Sequence, residues 1–271
     1  MNKKIEYRDL IEKVISISKE AGKAIMEIYH SDFNYQLKED LSPLTKADQI
    51  SHQIITRKLK LITPNIPILS EEGSNIPFKD RKKWKQYWLI DPLDGTKEFI
   101  KKNGEFTVNI ALIEGNISTL GVINVPATNE TFWGSYNNGS FFSKNDNTSQ
   151  KIEVREKSLK KLKILASRSH ANPLIENYLE EIKDYEIINI GSSLKFCLIA
   201  SGKADIYIRL GPTSEWDIAA GEAIIKYAGG QIFYTNGKTL TYNKRDLLNP
   251  NFIVTNNRTN AEMLMRLIKK Y

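Results

Sequence analysis

Residues 91–96 read Asp91-Pro92-Leu93-Asp94-Gly95-Thr96 and directly follow the apolar run Tyr87-Trp88-Leu89-Ile90. Such a run suits a buried strand. Pro92 has no N–H for a ladder, so regular pairing is expected to stop there. Gly95 suits a tight turn, and Thr96 adds a hydroxyl. The chain must therefore leave a core strand and turn at once, presenting Asp91 and Asp94 together. An isolated Asp-Gly is an ordinary surface turn. Two acids flanking a turn that follows a buried run would repel each other, and a hard cation with oxygen ligands relieves that. Upstream, Glu71-Glu72 closes a second apolar segment, Ile66-Pro67-Ile68-Leu69-Ser70, and can bring a third carboxylate to the first two.

The sextet and the upstream Glu-Glu pair resemble the lithium-sensitive, Mg²⁺-dependent phosphomonoesterase superfamily. That group includes inositol monophosphatase, fructose-1,6-bisphosphatase and the 3'-phosphonucleotidases. The run from Trp88 to Ile113 is similar to the CysQ-type 3'(2'),5'-bisphosphate nucleotidase branch. There Lys97-Glu98-Phe99 follows the sextet, where inositol monophosphatases usually carry Thr-Asn-Phe. The resemblance extends from about Asp9 to Phe252. It implies an α+β and α/β chain folded as the layered αβαβα sandwich of this superfamily, with the active site in a cleft between two halves.

The bulk properties narrow the alternatives. The chain has 271 residues, 41% hydrophobic and 26% charged, as in a globular protein with a sizeable core. No apolar run approaches the roughly 18 residues of a membrane span. The basic start, Met1 to Glu6, leads into an amphipathic helix and not a signal-peptide core. Cys197 is the single cysteine, so no intramolecular disulfide forms. Its neighbours Leu194-Lys195-Phe196 and Leu198 make it a packed core residue. These features point to the cytoplasm, with peripheral association at the inner membrane left open, and to a monomer or homodimer. The net charge of +7 fits a solvated lysine-rich surface or a field that attracts anions. Arg81-Lys82-Lys83 and 157–163 lack interleaved aromatics and read as solvated faces, so no nucleic-acid partner is expected.

Leu10, Val14, Ile17, Ala21, Ile25 and Ile28 recur at helical spacing. Thr45 to about Leu61 reads as a second helix, with Thr45 and Asp48 spaced as a capping box. Strand-like runs follow at 66–69, 87–90, 106–113 and 117–125, and Asn137-Asn138-Gly139 signals a hairpin. Beyond the polar run 144–150, strands at 163–166, 186–190 and 204–208 alternate with helical patterns near 172–183, 193–201 and 216–228. Further strands near 231–234 and 252–255 precede a terminal helix from about Asn260. This divides the chain into an α+β metal-binding half, 1–155, and an α/β substrate-recognition half, 156–271.

The resemblance implies a ligand set for two or three Mg²⁺ ions: Glu71, Asp91, the Leu93 carbonyl, Asp94 and Asp217 of the Trp216-Asp217 motif. Read alone, Asp217 is a first-turn helix acid. The oxygen-rich set and the absence of a metal-spaced pair among His30, His52 and His170 favour Mg²⁺ over zinc. The implied mechanism is direct attack by a metal-activated water. Glu71 stands beside that water, Thr96 orients it, and Asp48 receives the proton or only caps its helix.

Substrate-contacting positions implied by the family are Glu71, Leu93, Asp94, Gly95, Thr96 and Asp217, with Ser167, His170, Ser192, Lys195 and Arg209 from the second half. Hydroxyls and a helix N-terminus donate to phosphate oxygens, Lys supplies a point charge, and Arg can hold a phosphate bidentately. Each also has a plain structural reading: Ser192 as a cap, Lys195 as a solvated side chain, Arg209 as a partner for an acid. Glu215 is expected to add a negative charge beside the phosphate site. The expected substrate is 3'-phosphoadenosine 5'-phosphate. An inositol-1-phosphate or fructose-1,6-bisphosphate phosphatase, or a non-catalytic nucleotide-binding protein, remains the alternative.

Overall fold

A computed structural model of the chain describes residues 7–32, 34–37, 43–73, 75–145, 147–156, 161–168, 179, 182 and 184–270. Helices α1 (Tyr7–Tyr29) and α2 (Lys46–Ile62) form the first layer. The short hairpin of β1 (Tyr35–Leu37) and β2 (Pro43–Thr45) lies between them in sequence. A seven-stranded sheet follows, its strands adjacent in chain order. They are β3 (Ile68–Ser70), β4 (Gln86–Asp94), β5 (Thr107–Glu114), β6 (Ile117–Val125), β7 (Glu130–Ser135), β8 (Gly139–Lys144) and β9 (Gln150–Ile152). The short helices α3 (Phe78–Arg81) and α4 (Thr96–Ile100) flank β4. The second, five-stranded sheet has the order β11-β10-β12-β14-β13. It comprises β10 (Leu162–Ser167), β11 (Tyr185–Ile190), β12 (Ile206–Arg209), β13 (Gln231–Tyr234) and β14 (Phe252–Thr255). Helices α5 (Leu194–Ala200) and α6 (Glu215–Tyr227) fill the space between the sheets, and α7 (Arg258–Lys270) covers the outer face of the second. This is the expected αβαβα order.

The strand period divides the cores. Trp88 and Ile90 pack with Val14, Ile17 and Ile25 of α1, while Tyr87 and Leu89 face the central layer. Cys197 is fully buried in that central layer, and burial pushes its thiol up. The helix α6 lies unusually close to β6. A Cβ on Gly121 would stand 2.2 Å from the Ala220 carbonyl oxygen, so only glycine permits this approach.

Most of the helix expected near 172–183 lies outside the described residues. Two expectations change here. Arg81 is not a solvated charge. It is buried, and its guanidinium donates to Asn243 Oδ1 at 3.1 Å, to the Lys244 carbonyl at 2.6 Å and to the Arg245 carbonyl at 2.9 Å. Those acceptors replace the water it gives up. Pairing does not end at Pro92 either: it skips and resumes. Asp91 opposes Asn109 and Asp94 opposes Thr107, so three steps on β4 match two on β5. The extra residue is a β-bulge, the form in which a strand tolerates proline.

Candidate active site

Residues three apart on a regular strand point to opposite faces. The bulge cancels that. Asn109 and Thr107 share a face, so Asp91 and Asp94 opposite them do as well, and both look into the central layer. Glu71 arrives from the 3₁₀ turn Glu71–Gly73, which ends the neighbouring parallel strand β3. Asp217 arrives from the first turn of α6. Carboxylate oxygens of Glu71, Asp91 and Asp217 lie within 4.8 Å of one another. Asp91 also accepts the Leu93 N–H at 3.1 Å.

The turn after the strand is fixed by α2. Ser51 donates to the Pro92 carbonyl at 2.7 Å, and Thr96 Oγ1 lies 3.2 Å from Asp48 Oδ1 and 3.3 Å from the Leu93 carbonyl. Asp48 Oδ2 accepts the Thr45 N–H at 2.7 Å, closing the capping box of α2. One carboxylate thus caps a helix and meets Thr96. Asp217 repeats the device, accepting the Ser214 N–H at 2.8 Å as the third residue of its own capping box. Gly95, at φ 92, makes the left-handed link into α4.

Asp94 is held by a residue outside the sequence expectations. Ser193 Oγ lies 2.5 Å from Asp94 Oδ2 and accepts from Asn109 Nδ2 at 2.8 Å. Burial raises Asp94 above the ordinary carboxylate range, against the opposing pull of Ser193 and Lys195. Asp217 is raised well above it, first by burial and then by the charges of Asp94 and Glu71. Asn109 Oδ1 and Thr107 Oγ1 are buried beside this group without a hydrogen-bond partner among the described residues. Crowded carboxylates that repel one another, flanked by unsatisfied oxygens, are a donor set that fits a hard divalent cation. This acidic cluster agrees with the metal dependence that the resemblance implies.

A cleft of about 270 Å³ opens beside the acids, lined among others by Gly95, Thr96, Lys97, Glu98, Ser167 and Ser192. Lys195 and Arg209 border it too. Lys195 is not solvated. Its ammonium is buried, donates to the carbonyls of Ser192 at 2.6 Å and Ile190 at 3.2 Å, and burial lowers its pKa to about 8. Arg209 donates to the Pro212 carbonyl at 2.8 Å, while its buried Nε has no partner among the described residues. Ser192 stands at φ 45, a left-handed position rare for serine and costing on the order of 1 kcal/mol. His170 lies outside the described residues. Glu215 does not add charge to the cleft. It is fully buried, pairs with Lys244 at 2.7 Å, and accepts the Asn243 and Lys244 N–H groups at 2.8 and 3.0 Å. On α6 it points away from Asp217, as helix neighbours two residues apart must.

A bulged strand that gathers carboxylates against a cleft between two sheets defines a metal-dependent phosphatase of the αβαβα type. The chain belongs to the inositol monophosphatase family, whose pattern matches residues 6–271. It is 43% identical over 249 residues to the 3'(2'),5'-bisphosphate nucleotidase CysQ of Salmonella typhimurium, covering 91% of this chain and 99% of that one. The Buchnera aphidicola protein of the same name is 45% identical over 238 residues, 87% of this chain and 88% of its own length. The crystal structure of CysQ from Bacteroides thetaiotaomicron, a bacterial member of the family, superposes with a TM-score of 0.82. It is 39% identical and covers 94% of this chain and 99% of that one. The likeness to the CysQ branch read from residues 88–113 is borne out by these relatives.

Proposed function

We propose that this protein is a Mg²⁺-dependent phosphomonoesterase that hydrolyses 3'-phosphoadenosine 5'-phosphate to AMP and phosphate. The observation that carries the reading is the cluster of Glu71, Asp91 and Asp217 beside a cleft bordered by Lys97, Lys195 and Arg209. The names of the relatives support the substrate. Glu71, Asp91, the Leu93 carbonyl, Asp94 and Asp217 would hold two or three ions. Bound Mg²⁺ would offset the charge of the phosphate and make a nearby water more acidic.

The chain's own groups do the rest. Thr96 Oγ1 accepts from the attacking water and hands its own proton to Asp48 Oδ1, which it faces at 3.2 Å. Asp48 is rigid for this task because its other oxygen is fixed by the helix cap. Glu71 flanks the water. The water oxygen bonds to phosphorus as the bond from phosphorus to the ribose oxygen breaks, with no phosphoenzyme, and the ribose oxygen takes up a proton from solvent while Asp48 returns its own to solvent. Gly95, Ser167, Ser192, Lys195, Arg209 and His170 are the proposed contacts for the rest of the nucleotide. Residues 1–155 supply most of the metal ligands and 156–271 most of the substrate contacts. A cytoplasmic location and a monomeric or homodimeric state complete the proposal. No helix among the described residues is long and apolar enough to cross a membrane.

The test is phosphate release from 3'-phosphoadenosine 5'-phosphate and from inositol 1-phosphate, side by side, with Mg²⁺ and with EDTA. Strong preference for the nucleotide, abolished by EDTA, is expected. Preference for the inositol phosphate would keep the metal chemistry and overturn the substrate. Nucleotide binding without phosphate release would overturn the enzyme itself.

A further inference from the structure

We infer that Glu105 is a positioning residue of the active site, acting on Asp94 through the turn at residues 191–193. The inference rests on the metal-dependent phosphatase reading and names a part of that site no motif discloses. Glu105 lies in the segment that enters β5, and its N–H is anchored to Asn103 Oδ1 at 2.9 Å. Its carboxylate reaches from the first sheet to the end of the second. Oε2 accepts the Gly191 N–H at 2.7 Å and Arg168 Nε at 2.6 Å, and Oε1 accepts Arg168 Nη2 at 2.7 Å. Arg168 in turn donates to the Asn189 carbonyl at 2.6 Å. Glu105 therefore ties down both the residue after β10 and the residue after β11.

The tie is close-fitting. A Cβ on Gly191 would stand 2.8 Å from the Glu105 carbonyl oxygen and 2.7 Å from Glu98 Cγ. The chain then passes through Ser192 in its left-handed conformation and delivers Ser193 Oγ to within 2.5 Å of Asp94 Oδ2. Lys195 holds the same turn from its own side through the carbonyls of Ile190 and Ser192. Ser193 and Lys195 follow the end of β11 in the second sheet, whereas Asp91 and Asp94 belong to the first. Glu105 is a charged link that sets one against the other, two residues along the chain from Thr107, which opposes Asp94. Without it, the Gly191 N–H loses its acceptor, the strained Ser192 can relax, and the Ser193 hydroxyl leaves Asp94. The geometry thus assigns to Glu105 an effect on turnover and Mg²⁺ binding without contact to either substrate or ion.

The experiment is a double-mutant cycle of Glu105→Ala and Ser193→Ala. Turnover of 3'-phosphoadenosine 5'-phosphate is read as kcat and KM, and Mg²⁺ binding is read by calorimetry without substrate. Loss of a hydrogen bond to a buried carboxylate corresponds to a change on the order of tenfold to a hundredfold. Each single variant is expected to lose kcat and Mg²⁺ affinity in that range, with substrate KM moving less than kcat. The double variant should be no worse than the poorer single one, because both act through one bond. Glu105→Gln, which keeps an acceptor for Gly191, should recover most of the loss and serves if Glu105→Ala does not fold. Additive losses, Glu105→Ala with wild-type kcat and Mg²⁺ affinity, or Glu105→Gln as impaired as Ser193→Ala would overturn the inference. A wild-type protein that binds Mg²⁺ but leaves this nucleotide intact would refute the substrate reading instead, and the calorimetric cycle would still decide Glu105.

Discussion

Replacing Gly121 with alanine should damage catalysis from a residue that touches no ligand. Its added methyl would lie 2.2 Å from the Ala220 carbonyl oxygen, 2.8 Å from its Cα and 2.9 Å from its carbonyl carbon. All three are helix backbone, so no side-chain rotation relieves them. Reaching a 3.0 Å contact requires α6 and β6 to part by at least about 0.8 Å. Asp217 lies less than one turn before Ala220 on the same helix, so it moves with the helix while Asp91 and Asp94 stay with the sheet. Overpacking of this kind costs about 1–3 kcal/mol. A displacement near 1 Å at a reacting centre costs roughly a hundredfold in rate. We expect Gly121→Ala to melt a few degrees lower, to require more Mg²⁺ for half-maximal activity, and to lose kcat/KM by a factor of tens to about a hundred. The assays are thermal melts and Mg²⁺ titrations of phosphate release. A variant with a lowered melting point but unchanged Mg²⁺ dependence and turnover would refute the claim that the helix–sheet distance sets the ligand geometry.

Three other substitutions test separate parts of the site. Thr96→Val should lower kcat by about 10²–10⁴-fold with little change in Mg²⁺ affinity, and Thr96→Ser should restore much of it; steady-state kinetics decide. Asp217→Asn should abolish turnover, yet its melting point in EDTA should not fall. The amide oxygen can still cap α6, and repulsion from Asp94 and Glu71 is removed; a large loss of metal-free stability would contradict this. Glu222 is buried on α6, accepts a hydrogen bond from Tyr242, and burial raises its pKa to about 7. The folded chain therefore keeps a proton that the unfolded chain releases near its ordinary value of 4.5. The stability that Glu222 contributes should fall as pH rises from 4.5 to about 7 and level off above, by on the order of 3 kcal/mol. Denaturant melts of Glu222→Gln should show a pH slope shallower than the wild type's by that amount.

The sequence carried the local parts of this molecule and lost the long-range ones. Helical periodicity from Leu10 to Ile25 and the Thr45/Asp48 capping box are written in neighbouring residues, and both elements formed as read. The Asp91–Thr96 turn was equally legible. Its bulge was not, because register depends on Asn109 and Thr107 in another strand. Ser193 and Glu105 carried no signal, since a serine among serines and a loop glutamate gain meaning only once two sheets meet. Arg81 and Glu215 were misread for one reason. Charge next to lysines or aspartates suggests solvent or a site, but the 243–245 segment, remote in sequence, supplies the partners that bury both.

The bulge in β4 also limits what side-chain substitution can reveal. By skipping a residue, the strand withdraws the Pro92 and Leu93 carbonyls from the inter-strand ladder. The first accepts from Ser51 and the second faces Thr96. Every residue type has the same carbonyl, so a scan through all amino acids at Leu93 would register a buried packing position and nothing else. The information sits in strand length, not in residue identity. Removing one of the two residues between Asp91 and Asp94 would restore even pairing, delete one of these carbonyls and return the other to the sheet, leaving a better-formed strand and a poorer site.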